Sequence, residues 1–161
     1  MLIRALDPAT EVPLVEALYA EAADYWLLAD RVPPDRAKAA DFFTDAPPGA
    51  DPARSRRLGL FVEGRLSGVA ELSYGFPGPG DGYLGLMILA PRLRGKGYGA
   101  RFLAHVEALA RQAGAPRLCL GVLEANPRGR AFWQREGFAP TGVTRHDAGT
   151  GHDIRRFVKP L

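Results

Sequence analysis

The sequence of 161 residues has the size of one domain, predicted here to span 1–161, and is long enough to bury a hydrophobic core. Hydrophobic residues make up 47% and charged residues 24%, as in soluble globular proteins, and no apolar run approaches the roughly 18 residues of a membrane span. The net charge of +3 indicates an anionic ligand only if the positive charge is concentrated. The single cysteine, Cys119, excludes an internal disulfide and a cysteine metal cluster.

The first third of the chain is predicted to contain one strand, two helices and a loop. LIRAL (2–6) has the pattern of a short strand, and apolar residues at helical spacing predict a helix over 10–23. A second helix is predicted over 34–44, because Pro34 suits the first turn of a helix. The composition of 45–57 is that of a loop. The N-terminus meets acid and proline too early for a signal peptide, so we expect a cytoplasmic protein.

Three strands are predicted in the middle of the chain. LGLFV (58–62) and LSGVAELSY (66–74) flank the turn EGR and predict a hairpin. Along the second of these strands, alternation places Ser67, Val69, Glu71 and Ser73 on one face and Leu66, Ala70, Leu72 and Tyr74 on the other. YLGLMILA (83–90) is mostly apolar, which favours a central strand.

Helices and strands alternate in the last third. A helix is predicted from the segment after residue 90 to about residue 113, followed by a strand over 117–123 and a helix over 127–136. GFAPTGV (137–143) and HDIRRFV (152–158) predict two closing strands.

Glycine and positive charge are concentrated at the strand-to-helix junction PRLRGKGYGARFL (91–103). Its four basic residues are Arg92, Arg94, Lys96 and Arg101, with no acid among them. The predicted crossover directs the helix N-terminus towards the ends of two parallel strands, where free N–H groups and the helix dipole attract anions. Glycines let the backbone approach a phosphate closely. We favour a phosphate site over the alternative, a flexible helix entry with solvated arginines.

Two common nucleotide-binding loops do not fit this junction. A Walker A loop needs Ser or Thr after its lysine, and Lys96 is followed by Gly97. A dinucleotide fingerprint needs a third glycine, which is missing after Gly97 and Gly99. The order Arg94-Gly-Lys-Gly97-Tyr-Gly99 instead resembles the pyrophosphate-binding turn of the GCN5-related N-acetyltransferase (GNAT) superfamily: Arg or Gln, two residues, Gly, one residue, Gly or Ala.

A second segment strengthens the resemblance. In that family an Asn after the next strand is followed, seven residues on, by an aromatic residue and then by Gly-Phe; here these are Asn126, Trp133, Gly137 and Phe138. The match covers about residues 58–143. It implies an α/β (α+β) GNAT fold: a mixed, mostly antiparallel sheet of six to seven strands with a splayed central parallel pair, about four flanking helices, and acetyl-CoA between the splayed strands.

The resemblance also assigns residues to acetyl-CoA. The backbone of Met87 and Leu89 matches positions that pair with the pantetheine arm, and Asn126 matches an asparagine near the pantetheine or acetyl group. The pyrophosphate cradle matches the backbone of Arg94, Gly95, Lys96, Gly97, Tyr98, Gly99 and Ala100. The side chains that could neutralise the 3′-phosphate are Arg92, Arg101, Arg128 and Arg130.

The sequence departs from the family at two chemical positions. The aromatic residue is usually a tyrosine that protonates the departing thiolate, and an indole such as Trp133 cannot deliver a proton at neutral pH. We therefore interpret Trp133 as part of the cofactor wall. A Glu that some members use as a base is replaced by Tyr83, which makes Glu71 the best substitute, with a solvated strand glutamate as the alternative. Tyr83 and Glu71 are the catalytic candidates.

The acceptor site has weaker signals. Tyr25 and Trp26 follow the first predicted helix, where the family builds its acceptor wall, and Asp24 and Asp30 nearby would suit a cationic amine. Packing of this segment on the sheet is the alternative. The histidines lack the spacing of a metal site, so no metal is predicted.

Together these features predict an acyltransferase that transfers acetyl from acetyl-CoA directly to a primary amine, with a small molecule as the acceptor. A CoA-binding module with weak or no catalysis and a protein N-terminal or lysine acetyltransferase remain alternatives. A basic nucleic-acid-binding domain is the rival suggested by a pI of about 9.3, but no nucleic-acid motif supports it, and neither nucleic acid nor membrane is predicted as a partner. The chain is predicted to be a monomer or a homodimer.

Overall fold

A computed structural model describes all 161 residues as one seven-stranded sheet flanked by five α-helices. The strands are β1 Leu2–Ala5, β2 Arg56–Val62, β3 Arg65–Tyr74, β4 Gly82–Leu89, β5 Arg117–Leu123, β6 Ala139–His146 and β7 Asp153–Pro160. The helices are α1 Val12–Glu21, α2 Ala23–Asp30, α3 Arg36–Asp41, α4 Tyr98–Gln112 and α5 Pro127–Arg135, with short 3₁₀ turns at Pro52–Arg54 and Pro91–Leu93. None of the helices combines the length and apolar character needed to cross a membrane.

The sheet has the order β1-β2-β3-β4-β5-β7-β6 and is antiparallel except between β4 and β5. This confirms the predicted mixed sheet with one central parallel pair. The β2–β3 hairpin turns at Glu63 and Gly64, both with positive φ (52° and 75°), as a type I′ turn requires. β4 and β5 pair only at Gly82 with Leu118 and at Tyr83 with Cys119, and the two strands separate beyond these residues.

An ion pair lies at the closed end of this parallel pair. Asp81, just before β4, accepts hydrogen bonds from Arg117 Nε and Nη2, at 2.9 and 2.8 Å, at the start of β5. It also accepts one from the Gly78 N–H at 2.9 Å. Asp81 therefore joins the two strands at the end where they pair, while their other ends diverge.

Each face of the sheet has its own core. On one face, α4 buries Phe102, Leu103 and Val106 against residues such as Leu72 and Phe157. The other face packs against the helices α1–α3, and there Val15, Leu18 and Tyr19 of α1 meet Val69 and Ile88 of the sheet. The helical segments that follow β1 therefore cover the face that also carries Glu71.

The structure differs from the predicted elements in three places. Residues 23–30 form a further helix, α2, which follows α1 after a break at Ala22. The helix predicted from Pro34 begins at Arg36, because the Asp35 side chain accepts the Lys38 N–H (2.8 Å) and caps it there. Leu66 was predicted on the face of Ala70 but lies on the opposite face, in the core of the α1 face. The reason is a bulge: the register of β2 and β3 shifts between the Phe61–Leu66 and Leu60–Gly68 pairs.

Candidate active site

The opening between β4 and β5 leaves backbone groups of β4 without a neighbouring strand. Ala90 donates its N–H to Ser67 of β3 at 2.8 Å. Because backbone groups alternate in direction along a strand, Met87 and Leu89 direct theirs away from β3, towards β5. β5 no longer pairs with β4 at that level. The polar backbone of Met87 and Leu89 therefore faces the opening.

The glycine turn at the start of α4 presents a row of free donors. None of the N–H groups of residues 95–100 donates a hydrogen bond within the protein, as expected for a turn leading into the first turn of a helix. Gly95 and Gly97 adopt φ of 73° and 84°, and no atom lies within 4 Å of a Cβ built on either. The helix dipole adds partial positive charge at this point. The turn has the backbone geometry and electrostatics of an anion site.

The basic residues around this turn divide into two groups. Arg92 bonds Glu21 of α1 (2.9 Å) and Ser67 (2.8 Å), and Arg94 bonds Asp24 of α2 (2.5 Å). The acids that the local sequence lacks are thus supplied by α1 and α2. The cationic side chains without an acidic partner within 4 Å are those of Lys96, Arg101, Arg128 and Arg130. These four are the available cations near the N-termini of α4 and α5.

Asn126 caps the N-terminus of α5, and Trp133 lies within that helix. Asn126 caps the helix by accepting the Gly129 N–H at 3.0 Å. Trp133 is half-buried, with edge contacts to Phe132 and Phe138 at ring-centre distances of 4.9 and 5.4 Å, and it packs against the core of the α4 face.

A cavity of about 820 Å³ lies on the face of the sheet opposite α4 and is called the acceptor cavity below. Its walls come from α2, α3, residues 45–48, the central strands and the β6–β7 hairpin. The structure brings Glu71, Tyr83, Tyr25 and Trp26 together around this space, although they are up to 58 residues apart in sequence. Trp133 and the glycine turn do not line it.

Glu71 is buried in the wall of this cavity, with 4% of its surface exposed. It accepts a hydrogen bond from the Ser73 hydroxyl, and the Arg57 guanidinium lies 3.7 Å from the same carboxylate oxygen. Burial raises the pKa of the Glu71 carboxyl, against the opposing effects of Ser73, Arg57 and the N–H of Gly85. The alternative of a solvated strand glutamate is wrong, because this carboxylate is enclosed and surrounded by polar partners.

Gly85 makes room for that carboxylate. β3 and β4 shift register between the Glu71–Leu86 and Leu72–Leu84 pairs, which leaves Gly85 as the extra residue of a bulge. A Cβ built on Gly85 would lie 2.1 Å from Glu71 Oε2. Sequence reasoning missed this residue. A glycine inside an otherwise apolar strand was the available signal.

Tyr83 stands where β4 and β5 begin to diverge. Its hydroxyl lies 3.3 Å from the position that a Cβ of Gly121 would occupy, and its ring meets Phe76 edge-on at 5.0 Å. Burial raises the pKa of the Tyr83 phenol, and the positive charges of Arg156 and Arg145 oppose that rise. The phenol remains protonated at neutral pH and can donate a hydrogen bond but cannot accept a proton from an amine.

The aromatic pair of α2 is less exposed than the sequence suggested. Trp26 is 5% exposed, and the Lys38 ammonium lies 4.6 Å from its ring centre while pairing with Asp30 at 3.0 Å. Burial raises the pKa of Tyr25 to about 12. Both rings line the cavity and also pack in the α1-face core. The expected pair of acids is not free for a cation, since Asp24 bonds Arg94 and Asp30 bonds Lys38.

Comparison with known proteins agrees with this architecture. A family model described as the Acetyltransferase (GNAT) family matches residues 15–138. An acetyltransferase structure from Thermus thermophilus is 23% identical, with a TM-score of 0.77 and coverage of 100% of this chain and 98% of that one. A ribosomal-protein-alanine N-acetyltransferase from Brucella melitensis is 22% identical (TM-score 0.75; 100% of both chains), and a nourseothricin acetyltransferase is 21% identical (TM-score 0.69; 99% and 97%).

The fold and the match over most of the chain define the class of protein. This chain belongs to the GNAT family of acetyltransferases. Enzymes of this family use acetyl-CoA as the co-substrate and acetylate amines, as the sequence resemblance implied.

Proposed function

We propose that the protein transfers the acetyl group of acetyl-CoA directly to the primary amine of a small molecule held in the acceptor cavity. One observation carries the proposal: the β4–β5 opening has free backbone donors of the glycine turn on one side and a cavity with a buried carboxylate on the other. The two substrates would therefore approach the opening from different faces of the sheet.

The residues of the opening fit acetyl-CoA. The free N–H groups of residues 95–100 would hold the pyrophosphate, and the backbone of Met87 and Leu89 would pair with the pantetheine arm. Lys96 and Arg101, which have no acidic partner, would neutralise phosphate charge, together with Arg128 and Arg130. When bound, acetyl-CoA supplies the activated thioester. Backbone donors at the opening would stabilise the negative charge that develops on its oxygen.

Glu71 is proposed to take the proton of the acceptor amine. Amines are mostly protonated at neutral pH, with a reference pKa near 10.4 for Lys, so a base must act before attack. A buried carboxylate with a raised pKa is a better base than a solvated one, and Glu71 lines the cavity wall. Tyr83, which stays protonated, is proposed to donate a hydrogen bond at the opening.

Direct transfer is favoured over a covalent enzyme intermediate. Cys119 is fully buried on β5 and does not line the cavity, and Ser73 is equally buried beneath Glu71. Neither of these two residues is therefore accessible to form an acyl-enzyme.

A small acceptor is favoured by the walls of the cavity. α2, residues 45–48 and the β6–β7 hairpin border it on three sides, which suits a compact molecule better than a protein chain. The catalytically weak CoA-binding module keeps one supporting observation, the absence of a tyrosine acid at Trp133. A thiolate is a fair leaving group and can take its proton from water.

The proposed function is tested with acetyl-CoA first and an acceptor second. Calorimetry should show binding of acetyl-CoA to the purified protein, and a thiol-detecting assay should show CoA release that depends on an added primary amine. Mass spectrometry should find the acetyl group on that amine. Binding without amine-dependent release across a broad panel would support the CoA-binding module instead. An absence of acetyl-CoA binding would refute the proposed function altogether.

A further inference from the structure

Two arginines on the β6–β7 side of the acceptor cavity have no acidic partner. Arg145 of β6 and Arg156 of β7 both line the cavity, and neither guanidinium has a carboxylate within 4 Å. Arg156 lies over the Phe76 ring, with its guanidinium carbon 5.0 Å from the ring centre. Every other cationic side chain of the lining is paired: Arg57 with Glu71 and Lys38 with Asp30.

Strand register places the two arginines on the face of Tyr83. Arg145 pairs with Ile154, and Ile154 and Arg156 are two residues apart on β7, so all three point to one face. Gly121 pairs with Arg156, and a Cβ on Gly121 would meet Ile154 and the Tyr83 hydroxyl at 2.9 and 3.3 Å. The missing Gly121 side chain thus opens a path from the arginines to the phenol at the β4–β5 opening.

The opposite end of the cavity is acidic. Glu71 lies there, together with Asp45. The Asp45 carboxylate has no cationic partner within 4 Å, because Arg57 donates to the backbone oxygen of Asp45 and not to its carboxylate. Asp147, near Arg145, is occupied by its own turn, where it accepts from the Thr150 hydroxyl and the Gly149 N–H. The cavity therefore has an acidic end beside the proposed base and a basic end beside β7.

We infer that the acceptor is a compact zwitterion, an amine that carries its own carboxylate as amino acids do, with its anionic group bound by Arg145 and Arg156. This inference rests on the proposed function. Guanidinium groups recognise carboxylates through charge-assisted hydrogen bonds, and unpaired arginines in a cavity are suited to that role. Only β5 lies between the β4–β5 opening and β7, a step of about 4.8 Å per strand, so amine and carboxylate need be only a few bonds apart. The cationic acceptor expected from Asp24 and Asp30 gives way to a molecule with both charges.

The test compares each amino acid of a panel with its own amide, which keeps the amine and removes the negative charge. At saturating acetyl-CoA, kcat/KM from thiol release should be at least tenfold higher for the acids that serve as acceptors than for their amides. Arg156→Gln and Arg145→Gln should each raise KM for the acid by about tenfold or more, with kcat within about threefold of wild type. The kcat/KM for the amide should stay unchanged. Arg156→Lys should restore part of the loss. Polyamines should be poor acceptors.

Arg155→Gln is the matched control. Arg155 is next to Arg156 on β7 but on the opposite face, where it pairs with Glu124. This variant should keep the KM of the wild type. Circular dichroism should show that all variants fold.

Three results would overturn the inference. Amides or polyamines could react as well as the acids, or the two arginine variants could leave KM for the acid unchanged. If no amine of the panel reacts, binding of the amino acids and their amides is measured by calorimetry with CoA present. Binding of an acid but not of its amide, lost in Arg156→Gln, would support the inference, and an absence of binding by any acid would refute it. In each of these cases acetyl-CoA binding can persist, so failure here is distinct from failure of the proposed function.

Discussion

Glu71 has a raised pKa and a full set of polar neighbours at once, and the two properties have different consequences. Its neighbours Ser73, Arg57 and Gly85 hold the carboxylate in one orientation. Burial, the largest influence, favours the protonated form. A group whose pKa is raised in the folded state contributes stability at low pH and loses it as pH rises through that pKa. Ionised Glu71 is thus useful as a base and unfavourable for folding.

We predict that Glu71→Gln lowers kcat by roughly 10²-fold, the scale of losing a general base. The loss should shrink at high pH, where the amine deprotonates unaided. Because glutamine resembles the protonated acid, the free energy of unfolding relative to wild type should rise as pH increases from the ordinary carboxyl range through the raised pKa, as measured by urea titrations at several pH values. Glu63→Gln, in the exposed hairpin turn, is the control and should change neither quantity. An unchanged kcat at neutral pH would remove Glu71 from the mechanism.

Trp133 is predicted to act by packing alone. Trp133→Phe should keep kcat within about tenfold and weaken acetyl-CoA binding, because the smaller ring loses contacts with Phe132 and Phe138. The measurements are calorimetry for affinity and thiol release at saturating acetyl-CoA for kcat. A loss of several orders of magnitude in kcat with preserved affinity would instead assign the indole N–H to the chemistry.

At the scale of elements, the turn into α4 joins local geometry to ligand binding. Gly97 adopts the left-handed conformation at the N-terminus of α4, and Gly114 does so just past its C-terminus, with φ of 84° and 81°. At both glycines the position that a Cβ would occupy has no atom within 4 Å. The same substitution at Gly97 and at Gly114 should therefore cause similar backbone strain, and only the substitution at Gly97 should also affect ligand contact.

We predict that Gly97→Val and Gly114→Val both destabilise the fold, each by about 1–2 kcal/mol, because a side chain disfavours this conformation. Only Gly97→Val should weaken acetyl-CoA binding, by at least tenfold, since its side chain projects beside the free N–H groups of the turn. Chemical denaturation gives the first quantity and calorimetry the second. Equal affinities in the two variants would place the phosphate site elsewhere.

At the scale of the whole molecule, the sheet is closed at one end of β4–β5 and open at the other. The Asp81–Arg117 pair joins the closed end, and Arg117 holds the pKa of the Asp81 carboxyl below its ordinary value. A lowered folded-state pKa means stability that is present above the unfolded value, near 3.9, and is lost as pH falls through the folded value. The ion pair thus helps to hold β4 and β5 together at this end, so that the two strands separate only where a ligand is expected.

We predict that Asp81→Asn lowers the free energy of unfolding by about 1–3 kcal/mol at pH 7, because the amide cannot keep both charge-assisted hydrogen bonds. The difference from wild type should disappear as pH falls below the lowered pKa of Asp81. Urea titrations at neutral and acid pH measure both effects. Asp41→Asn, an exposed acid without an ion-pair partner, should match wild type throughout. A constant difference at all pH values would mean that packing, and not charge, is responsible.

The sequence alone determined the features that depend on neighbouring residues. The alternation of strands and helices, the hairpin at Glu63–Gly64 and the glycine turn before α4 follow from local conformational preferences. The family and its mixed sheet were implied by the resemblance of two motifs, at 94–99 and at 126–138, to the GNAT superfamily. The turn could be predicted as an anion site from local sequence, since consecutive backbone N–H groups need no distant partner, and the resemblance assigned that site to acetyl-CoA.

Only the tertiary structure decided which charges are free and which are paired. Arg92 and Arg94 look available in the sequence, yet Glu21 and Asp24 reach them across about 70 residues. The bulge at Gly85 and the pairing of β6 with β7 depend on strand register, which local pattern does not specify. The acceptor end of the cavity was therefore beyond prediction, because electrostatic interactions depend on distance in space and are set when remote segments pack together.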